Sequence, residues 1–455
     1  MFDLAVIGSG PGGYVAAIRA AQAGMKVVCI EKDKSLGGTC LNVGCIPSKA
    51  LLHATEYYHR IAHEGHIFGI EAEGLKVNLA RMMERKTQVV KGLTEGVAYL
   101  FKKHHITTVL GEARITSPTQ IQVGSETLDA THILLATGSE PIPLPFLPFD
   151  EKRILSSTGA LALTTIPRKM LIVGAGIIGL ELGSVYKRLG VEIEVVELLD
   201  RVVPNLDTEI SKTVQQILTK QGFTFQLSTK VTAGRIENDQ VILSLEGKPE
   251  TGADVALIAV GRRPYSKNLG LDTLGIKQDP AGRVLVDGNF RTSIPNIYAI
   301  GDLIDGPMLA HKASEEGVAV ADILAGDTVR INYLAIPNVM YTWPEVACVG
   351  MTQEEATQAN LTLLIGKFPF KANPRARCSG DTEGLVKIIG EKTTGRVIGL
   401  HIIGPSASEM IGEGVLAIEH QLTLHDIAQA SHAHPTCSEA IKEAALAALG
   451  SALHI

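Results

Sequence analysis

The sequence predicts an α/β protein with two Rossmann-like dinucleotide-binding domains and a C-terminal α+β domain. Two observations carry this prediction. A strand, a glycine loop and a helix occur together twice along the chain, and strand-like and helical runs of a different kind follow from about residue 331. The chain has 455 residues, whereas one hydrophobic core rarely serves more than about 250–300 residues, so several domains are expected.

The first dinucleotide-binding unit lies at the start of the chain. The apolar run LAVI leads into G-x-G-x-x-G with Gly8, Gly10 and Gly13, a helical pattern covers 14–24, and the strand VVCIE ends at Glu31. The first glycine permits a sharp turn, the second lets a phosphate approach the backbone, and the third lets helix and strand pack closely. A pyrophosphate would then lie at the helix N-terminus, and the acid would accept hydrogen bonds from ribose hydroxyls.

The second unit repeats the first after 166 residues. Gly174, Gly176 and Gly179 follow the apolar run LIV, a helical pattern covers 180–190, and the next strand ends at Glu197. One such glycine motif is often an ordinary turn, but two copies at the same offset, each followed by a helix and an acid, predict two nucleotide sites. The second acid disfavours a 2′-phosphate by charge repulsion and so favours NAD over NADP.

Two further segments resemble each other and predict the returning strand of each unit. ILLATGSEP contains Gly138 and LIAVGRRP contains Gly261, each at the carboxyl end of its strand. A third segment, TSIPNIYAIGD, would place the carboxylate of Asp302 at a sheet edge, where a ribityl hydroxyl could donate to it. A Gly-Asp pair taken alone is more often a plain turn. Two dinucleotide sites in one chain suggest that electrons pass between a tightly held flavin and a second nucleotide.

Cys40 and Cys45 form the one close pair among six cysteines, within GGTCLNVGCIPSK. Structural disulfides are rare in reducing compartments, so a close pair there is more often catalytic or metal-binding. No second Cys or His pair has zinc spacing, and no metal site is predicted. If the intervening segment forms a helical turn, the two thiols could form a disulfide that exchanges two electrons with a flavin. Two unrelated core residues remain the alternative.

The segment GGTCLNVGCIPSK closely resembles the active-site helix of the flavin disulfide reductases, the family that includes glutathione reductase and mercuric reductase. The resemblance extends over nearly the whole chain. It implies that Cys40 is the interchange thiol and that Cys45 faces the flavin. It also implies that Lys49 lies near the reactive edge of the isoalloxazine and pairs with Glu181. Glu181 could instead be a solvated helix residue, although its IIGLEL context is apolar.

The resemblance implies two cofactors, a tightly bound, non-covalent FAD and NAD. The residues expected to contact FAD are Gly8, Gly10, Gly13, Glu31, Gly38, Thr39, Lys49, Ala113, Thr137, Gly138, Asp302 and Ala310, with His311 beside the ring. The residues expected to contact NAD, or to lie beside it, are Gly174, Gly176, Ile177, Ile178, Gly179, Glu181, Glu197, Val231, Ala259, Gly261 and Arg262.

The resemblance also divides the chain. It implies a first FAD-binding part at 1–145, an NAD-binding domain at 146–265, a second FAD-binding part at 266–330, and a dimerisation domain at 331–455. The proline-dense stretch 141–148 agrees with the first boundary, since proline fixes φ and removes a hydrogen-bond donor.

A histidine motif, HAHPTCSE, lies near the C-terminus. A thiol substrate needs a general base near neutral pH, which histidine can supply when a carboxylate fixes its tautomer. By resemblance, His434 is that base and Glu439 orients it, and both come from the partner subunit of a homodimer. His432 is not the catalytic histidine of the pattern. Cys437 departs from the residue expected there, and is interpreted as a small buried residue rather than a third redox thiol.

The implied reaction is oxidation of a protein-bound dihydrolipoyl group, with electrons passing through the cysteines and FAD to NAD. The partner would be a lipoyl domain of a 2-oxo acid dehydrogenase complex or a lipoylated glycine cleavage protein. A glutathione reductase-like enzyme is the alternative, because Arg201 stands near the second acid and that enzyme prefers NADP. Mercuric reductase usually carries extra C-terminal cysteines, which GSALHI lacks. A non-catalytic redox flavoprotein is a further alternative.

Charge and hydropathy exclude other classes of partner. The net charge is −6, and basic residues are scattered, so no nucleic-acid or anionic-membrane surface is expected. No stretch is long and apolar enough to span a bilayer. The first residues, MFDLAVIGSG, show neither a basic leader nor a cleavage site, which suggests a cytosolic protein or one that is already processed; a cytoplasmic location is expected.

Overall fold

The computed structural model describes residues 1–455. The strands are, in chain order, β1 Phe2–Ile7, β2 Val27–Glu31, β3 Thr107–Leu110, β4 Ala113–Ser117, β5 Gln120–Val123, β6 Glu126–Leu135, β7 Ser139–Pro141, β8 Ile154–Leu155, β9 Lys169–Val173, β10 Glu192–Val196, β11 Phe223–Gln226, β12 Val231–Glu237, β13 Gln240–Leu245, β14 Thr251–Ala253, β15 Val255–Ile258, β16 Arg262–Pro264, β17 Ile297–Ala299, β18 Asn338–Met340, β19 Glu345–Gly350, β20 Leu363–Pro369, β21 Leu385–Glu391 and β22 Val397–Gly404. The α-helices are α1 Pro11–Gln22, α2 Gly38–Val43, α3 Cys45–His59, α4 Leu79–Lys103, α5 Ser157–Ala160, α6 Ile177–Arg188, α7 Thr208–Lys220, α8 Leu271–Leu274, α9 Ala310–Ala325, α10 Gln353–Gln358, α11 Pro374–Ser379, α12 Ala407–Glu419, α13 Leu424–Gln429 and α14 Glu439–Ala448.

The chain forms two compact units. The first contains 1–51, 78–142 and 261–331, and the second contains 52–77, 143–260 and 332–455. The four-part division expected from the sequence, with boundaries near 145, 265 and 330, stays a prediction.

The first unit is built on a mostly parallel sheet. Strands β3, β2, β1 and β6 lie side by side in parallel, β17 joins β6 in parallel, and β5 and β4 extend the sheet antiparallel. Helices α1 and α9 pack closely because glycines face each other: a Cβ on Gly12 would lie 2.9 Å from the Ala313 carbonyl oxygen, and one on Gly317 would lie 2.5 Å from that of Gly12. The apolar interior of β1 and β6 forms the core of this unit.

The second unit contains another parallel sheet, in the order β11–β10–β9–β15–β8. Its first four strands repeat the order β3–β2–β1–β6 of the first unit, with each glycine loop following the equivalent strand, β1 or β9. Both segments predicted as returning strands take the expected place, since β6 pairs with β1 and β15 pairs with β9. The prediction of two Rossmann-like units is therefore confirmed.

The first helix of each Rossmann-like unit begins earlier than its helical pattern predicted. α1 begins at Pro11 and α6 at Ile177, three residues before the predicted starts at 14 and 180. In each motif the second glycine is the residue that precedes the helix, so the third glycine already lies within the helix. Pro11 can occupy the first helical position of α1, because that position needs no backbone N–H donor. Gly24 and Gly190 follow the helix ends with φ of 89° and 91°, the left-handed conformation expected of a glycine cap.

The C-terminal part of the second unit is an α+β domain, as predicted. Its antiparallel sheet has the order β18–β19–β22–β21–β20, and α12 and α14 cover it. The strand-like runs that the sequence predicts after residue 331 are LTLLIGKFPF, GLVKIIG and RVIGLHIIG, and they correspond to β20, β21 and β22. The helical runs that it predicts there, at 408–420 and 438–449, correspond to α12 and α14. Strands β18 and β19 were not predicted. None of the helices combines the length and apolar character that crossing a membrane requires.

Candidate active site

The two glycine loops have the geometry that a pyrophosphate requires. In the second loop, a Cβ on Gly174 would lie 2.5 Å from the Ala259 carbonyl oxygen, and one on Gly179 would lie 2.5 Å from the Gly174 carbonyl oxygen. A Cβ on Gly176 would meet nothing within 4 Å. The outer two positions therefore exclude a side chain through the fold itself, whereas the middle position is open for a ligand at the helix N-terminus.

The first loop repeats this pattern. Side chains at Gly8 and Gly13 would overlap the carbonyl oxygens of Ala136 and Gly8, while nothing lies within 4 Å of a Cβ on Gly10. Two loops with the same close packing and the same open position support a dinucleotide at each.

Replacing the middle glycine of the second loop should affect NAD binding, whereas replacing the last glycine should affect the stability of the fold. We expect Gly176→Ala to leave the free energy of unfolding nearly unchanged, because the new methyl group meets no protein atom, but to weaken NAD binding by crowding the pyrophosphate. Gly179→Ala forces the loop apart and is expected to destabilise the fold by about 1–3 kcal/mol. Thermal unfolding and NAD titration of both variants check this; equal losses of stability would contradict it.

The two acids that are predicted to bind ribose, Glu31 and Glu197, are held in the same way. Glu31 accepts hydrogen bonds from the backbone N–H of Ser9 (2.9 Å) and of Asp33 (3.0 Å). Glu197 accepts from the N–H of Ala175 (2.6 Å) and of Leu199 (2.8 Å). Ser9 and Ala175 are 166 residues apart, and so are Asp33 and Leu199. The resemblance between the two units therefore extends to individual hydrogen bonds. Each carboxylate is thereby oriented from its own glycine loop.

Arg201 makes two hydrogen bonds to residues that follow it closely in the chain. Its guanidinium donates to Thr208 Oγ1 at 2.8 Å and to the Pro204 carbonyl oxygen at 3.0 Å. Both contacts are with the segment that leads into α7. The arginine that favoured the NADP alternative in the sequence is therefore committed to local structure.

The redox segment is anchored to the first glycine loop through Ser9, a residue that the sequence analysis did not single out. The N–H of Gly37 donates to the Ser9 carbonyl oxygen at 3.0 Å and to its Oγ at 3.1 Å. Gly38, with φ of 56°, approaches Gly10 so closely that a Cβ would lie 2.7 Å from its Cα. Helix α2, which begins at Gly38 and includes Thr39, therefore starts beside the predicted phosphate position.

The structure brings Cys40 and Cys45 together. Cys40 lies in α2, α2 ends at Val43, and Cys45 begins α3, so a break at Gly44 replaces the single helical turn expected from the sequence. The two side chains are joined by a hydrogen bond. This bond, burial and the charge of Cys45 raise the pKa of Cys40, while the nearby ammonium of Lys49 acts in the opposite direction. The two sulfurs are therefore close enough to share a proton when the pair is reduced.

Asp302 is positioned by a buried ion pair. Lys312 and Glu316 are fully buried in α9 and lie 3.0 Å apart. Glu316 accepts from the N–H of Gly301 at 2.7 Å, and Lys312 donates to the carbonyl oxygen of Gly301 at 3.1 Å. Both backbone groups of the residue before Asp302 are thereby held. The predicted strand before it is β17, and Ala310 and His311 form the first turn of α9.

Residues predicted from the two returning segments meet in a short ribbon of β7 and β16. Thr137 donates to the Tyr265 carbonyl oxygen at 2.7 Å, and the Gly138 carbonyl oxygen accepts from the N–H of Tyr265 at 2.9 Å. Gly261, with φ of 125°, accepts from the N–H of Ile142. The guanidinium of Arg262 donates to Ser139 through Nε and Nη2, and its predicted contact with NAD stays a prediction.

The remaining predicted cofactor contacts, Ala113 and Val231, each begin a strand at the edge of a sheet, β4 in the first unit and β12 in the three-stranded sheet β12–β13–β14. Ala113 begins β4, two residues after Gly111, whose N–H donates to the Glu31 carbonyl oxygen at 2.8 Å. Val231 begins β12, two residues after Thr229, whose N–H donates to the Glu197 carbonyl oxygen at 2.9 Å. Each therefore follows a loop bonded to a ribose-binding acid.

Glu181 is buried, so its interpretation as a solvated helix residue is wrong. Only 2% of the residue is exposed, and its carboxylate accepts from the N–H of Tyr341 at 2.8 Å. Ile177 and Ile178 begin the same helix, α6, and Ala259 follows β15 at the base of the second glycine loop. The pairing of Glu181 with Lys49 stays a prediction.

His434 and Glu439 form the expected pair. His434 Nδ1 lies 2.9 Å from Glu439 Oε1, and the other carboxylate oxygen accepts from the N–H of Thr436 at 2.8 Å. Partial burial raises the pKa of Glu439, but the N–H of Thr436 and the imidazole of His434 outweigh it, and the pKa is lowered. The carboxylate therefore stays charged at neutral pH. The imidazole is 69% exposed, with Nε2 as the nitrogen left for a substrate.

The neighbouring histidine and cysteine have other surroundings. His432 is bound through Nε2 to Glu413 (3.0 Å) and through Nδ1 to the Ala430 carbonyl oxygen (3.1 Å), and the hydrogen bond to Glu413 raises its pKa. Cys437 is half-buried against the C-terminal core, and burial raises its pKa. Both observations agree with the interpretation that neither is a catalytic group.

The comparisons with protein families cover most of the chain. The model described as pyridine nucleotide-disulphide oxidoreductase matches residues 2–317, and the model of the dimerisation domain of the same group matches residues 336–445.

Individual relatives match over nearly the whole length. Mitochondrial dihydrolipoyl dehydrogenase from Homo sapiens is 52% identical over 98% of this chain and 90% of that protein. Dihydrolipoamide dehydrogenase from Chaetomium thermophilum is 51% identical over 99% and 92%. Among solved structures, LpdA from Mycobacterium tuberculosis has a TM-score of 0.91 at 27% identity, covering 97% of this chain and 99% of that one. The HOCl-induced flavoprotein disulfide reductase RclA from Escherichia coli has a TM-score of 0.88 at 26% identity, with the same coverage.

Proposed function

This chain belongs to the pyridine nucleotide-disulphide oxidoreductase family, and within it to the dihydrolipoyl dehydrogenases; on that basis we propose that Cys40, Cys45, His434 and Glu439 carry its reaction. The enzyme oxidises dihydrolipoamide and uses FAD and NAD. The observation that carries the proposal is the hydrogen bond between Cys40 and Cys45 beside the first glycine loop.

The chemistry begins at the substrate thiol. His434 Nε2 takes the proton of one dihydrolipoamide thiol, and Glu439 stabilises the imidazolium through Nδ1. The substrate thiolate attacks Cys40 Sγ of a Cys40–Cys45 disulfide, the bond between the two cysteines breaks, and Cys45 leaves as a thiolate. The second substrate thiol then displaces Cys40 from the mixed disulfide, which closes the lipoamide ring and leaves both cysteines reduced.

When bound, FAD would supply the redox chemistry that carries the two electrons of the reduced cysteines to NAD⁺. The residues that fit it are those of the first unit: the open position at Gly10, the oriented carboxylate of Glu31, and the fixed backbone before Asp302. The equivalent residues Gly176 and Glu197 fit NAD. The carboxylate of Glu197 repels a 2′-phosphate, and Arg201 is bound elsewhere, which supports NAD rather than NADP.

We infer that the working form is a homodimer in which His434 serves the cysteines of the partner subunit. The match of the dimerisation domain to residues 336–445 supports the dimer, and the exposed imidazole of His434 suits a group that acts on another chain. The substrate arm would come from a lipoyl domain of a 2-oxo acid dehydrogenase complex or a lipoylated glycine cleavage protein.

The location proposed for this chain is the cytoplasm. Four cysteines outside the redox pair form no disulfide, which suits a reducing compartment: Cys29, Cys348, Cys378 and Cys437. The names of the mammalian relatives place those proteins in mitochondria. Fractionation of cells that express the chain, with detection by antibody, tests this proposal; recovery in an organelle fraction would contradict it.

A paired turnover assay tests the choice of substrate and nicotinamide. One arm offers dihydrolipoamide with NAD⁺ or with NADP⁺, and the other offers glutathione disulfide with NADPH. We expect rapid NADH formation in the first arm, with NAD⁺ preferred by about tenfold or more because Glu197 repels the 2′-phosphate. We expect no turnover with glutathione disulfide. The reverse pattern would preserve the FAD and the cysteine chemistry but overturn the assigned substrate.

A further inference from the structure

Arg262 is held by a single residue across the β7–β16 ribbon. The strands pair antiparallel, with Ser139 opposite Pro264 and Arg262 opposite Pro141. The guanidinium donates through Nε to Ser139 Oγ at 2.8 Å and through Nη2 to the Ser139 carbonyl oxygen at 2.6 Å. Because both the side chain and the main chain of Ser139 are bound, this serine is fixed in position and in orientation.

Ser139 in turn donates to Asp302. Its hydroxyl is hydrogen-bonded to Asp302 Oδ2. A serine hydroxyl has one hydrogen to donate, and here Nε–H of Arg262 occupies an acceptor position on the same oxygen. The hydrogen is therefore directed at the carboxylate, and the guanidinium, hydroxyl and carboxylate form one chain of hydrogen bonds that polarise one another. Oδ2 is occupied in this chain, which leaves Oδ1 to meet a ribityl hydroxyl.

The chain of hydrogen bonds is partly buried, which strengthens the electrostatic interactions of Arg262. Only 8% of Ser139 is exposed, and Arg262 is half-buried. Burial lowers the pKa of Arg262, while the charges of Asp302, Cys45 and Glu140 act to raise it. The guanidinium is thus a partly buried cation that interacts with both the Asp302 carboxylate and Cys45, and charges interact more strongly there than in bulk water.

We propose that Arg262 is a positioning residue for the flavin and for Cys45. Through Ser139 it holds the Asp302 carboxylate in the orientation that receives the ribityl chain, and its charge stabilises the Cys45 thiolate in the reduced enzyme. This inference rests on the roles proposed above for Asp302 and Cys45. It adds two residues, Ser139 and Arg262, that act through others.

Two substitutions separate the charge of Arg262 from its geometry. Arg262→Gln removes the charge, and Arg262→Lys keeps it but cannot make both bonds to Ser139. We expect both variants to release FAD from the holoenzyme about tenfold faster, the scale of losing a hydrogen bond to a charged group. In a Cys40→Ser background, we expect Arg262→Gln to raise the pKa of Cys45 by about one unit, and Arg262→Lys to leave it near the parent value.

Flavin fluorescence on release measures the first effect, and the pH dependence of iodoacetamide alkylation of Cys45 in the holoenzyme measures the second. Arg263→Gln is the matched control. Arg263 lies on the same ribbon but donates to Glu140 at 2.7 Å, so neither quantity should change. Both readouts are independent of turnover with dihydrolipoamide, so they remain informative even if the proposed substrate is wrong.

A double variant tests whether Arg262 acts through Ser139. If it does, Ser139→Ala combined with Arg262→Gln releases FAD no faster than Ser139→Ala alone. If the increases in the FAD release rate from the two single variants multiplied in the double variant, Arg262 would not act through Ser139. An unchanged Cys45 pKa in Arg262→Gln, or equal effects in Arg262→Gln and Arg263→Gln, would overturn the electrostatic role.

Discussion

Replacing Cys45 by serine is expected to reduce dihydrolipoamide oxidation by roughly 10³-fold or more, the scale of losing a nucleophile that no other group replaces. Without the Cys45 sulfur no disulfide can form with Cys40, so the substrate thiolate has nothing to exchange with. FAD should stay bound at full occupancy, because the residues proposed to hold it, at the open glycine position, Glu31 and the Asp302 segment, do not include Cys45. Steady-state NADH formation and the flavin content of the purified variant measure the two effects.

Cys437→Ser is the matched control for this variant. Cys437 lies in the histidine motif but is half-buried against the C-terminal core, so its replacement should leave turnover within about twofold of the parent. Substantial turnover by the Cys45→Ser enzyme would remove the disulfide from the mechanism.

Replacing His434 by glutamine is expected to slow dihydrolipoamide oxidation by about 10²–10⁴-fold, because the substrate thiol loses its base. Glu439→Gln should have a smaller effect in the same direction, since the imidazole remains but its tautomer and charged form lose the carboxylate at 2.9 Å. The pKa of Glu439 is lowered, so its carboxylate is charged at every pH above that pKa. The carboxylate should therefore stop orienting the imidazole only when the pH falls well below the range in which an ordinary histidine, with a pKa of about 6.5, titrates.

Oxidation of NADH by an artificial acceptor should be unchanged in the His434→Gln enzyme, because that route needs no substrate thiol. His432→Gln is the control, since His432 is bound to Glu413 and the Ala430 carbonyl oxygen and should tolerate replacement. If His432→Gln slowed thiol oxidation as much as His434→Gln, the assignment of the base would be wrong.

The two glycine loops were predictable from the sequence because the strand, the loop, the helix and the following acid lie within one short segment of the chain. The oxygen atom that excludes a side chain at Gly179 belongs to Gly174 of the same loop, whereas the one that excludes a side chain at Gly174 comes from the returning strand, at Ala259. The pair of His434 and Glu439 was predictable for the same reason, as five residues of one local segment bring them together.

The supporting residues could not be predicted in this way. Ser139 lies 123 residues from Arg262 and 163 from Asp302, and only the folded ribbon brings the three together. Ser9 likewise joins a glycine loop, an acid and the redox segment through hydrogen bonds that no spacing reveals. The starts of α1 and α6 were placed too late because the apolar periodicity begins one turn after the backbone becomes helical.

A hybrid dimer provides the most direct test of the proposed active site. Subunits carrying Cys45→Ser and His434→Gln are given different affinity tags, co-expressed, and purified through both tags. Each variant is expected to be nearly inactive as a homodimer. If His434 serves the cysteines of the partner subunit, one of the two sites in the hybrid contains intact Cys45 and intact His434, and the hybrid should oxidise dihydrolipoamide at about half the parent rate per dimer. A hybrid as inactive as the two variant homodimers would show that each chain uses its own histidine, and would contradict the proposed site.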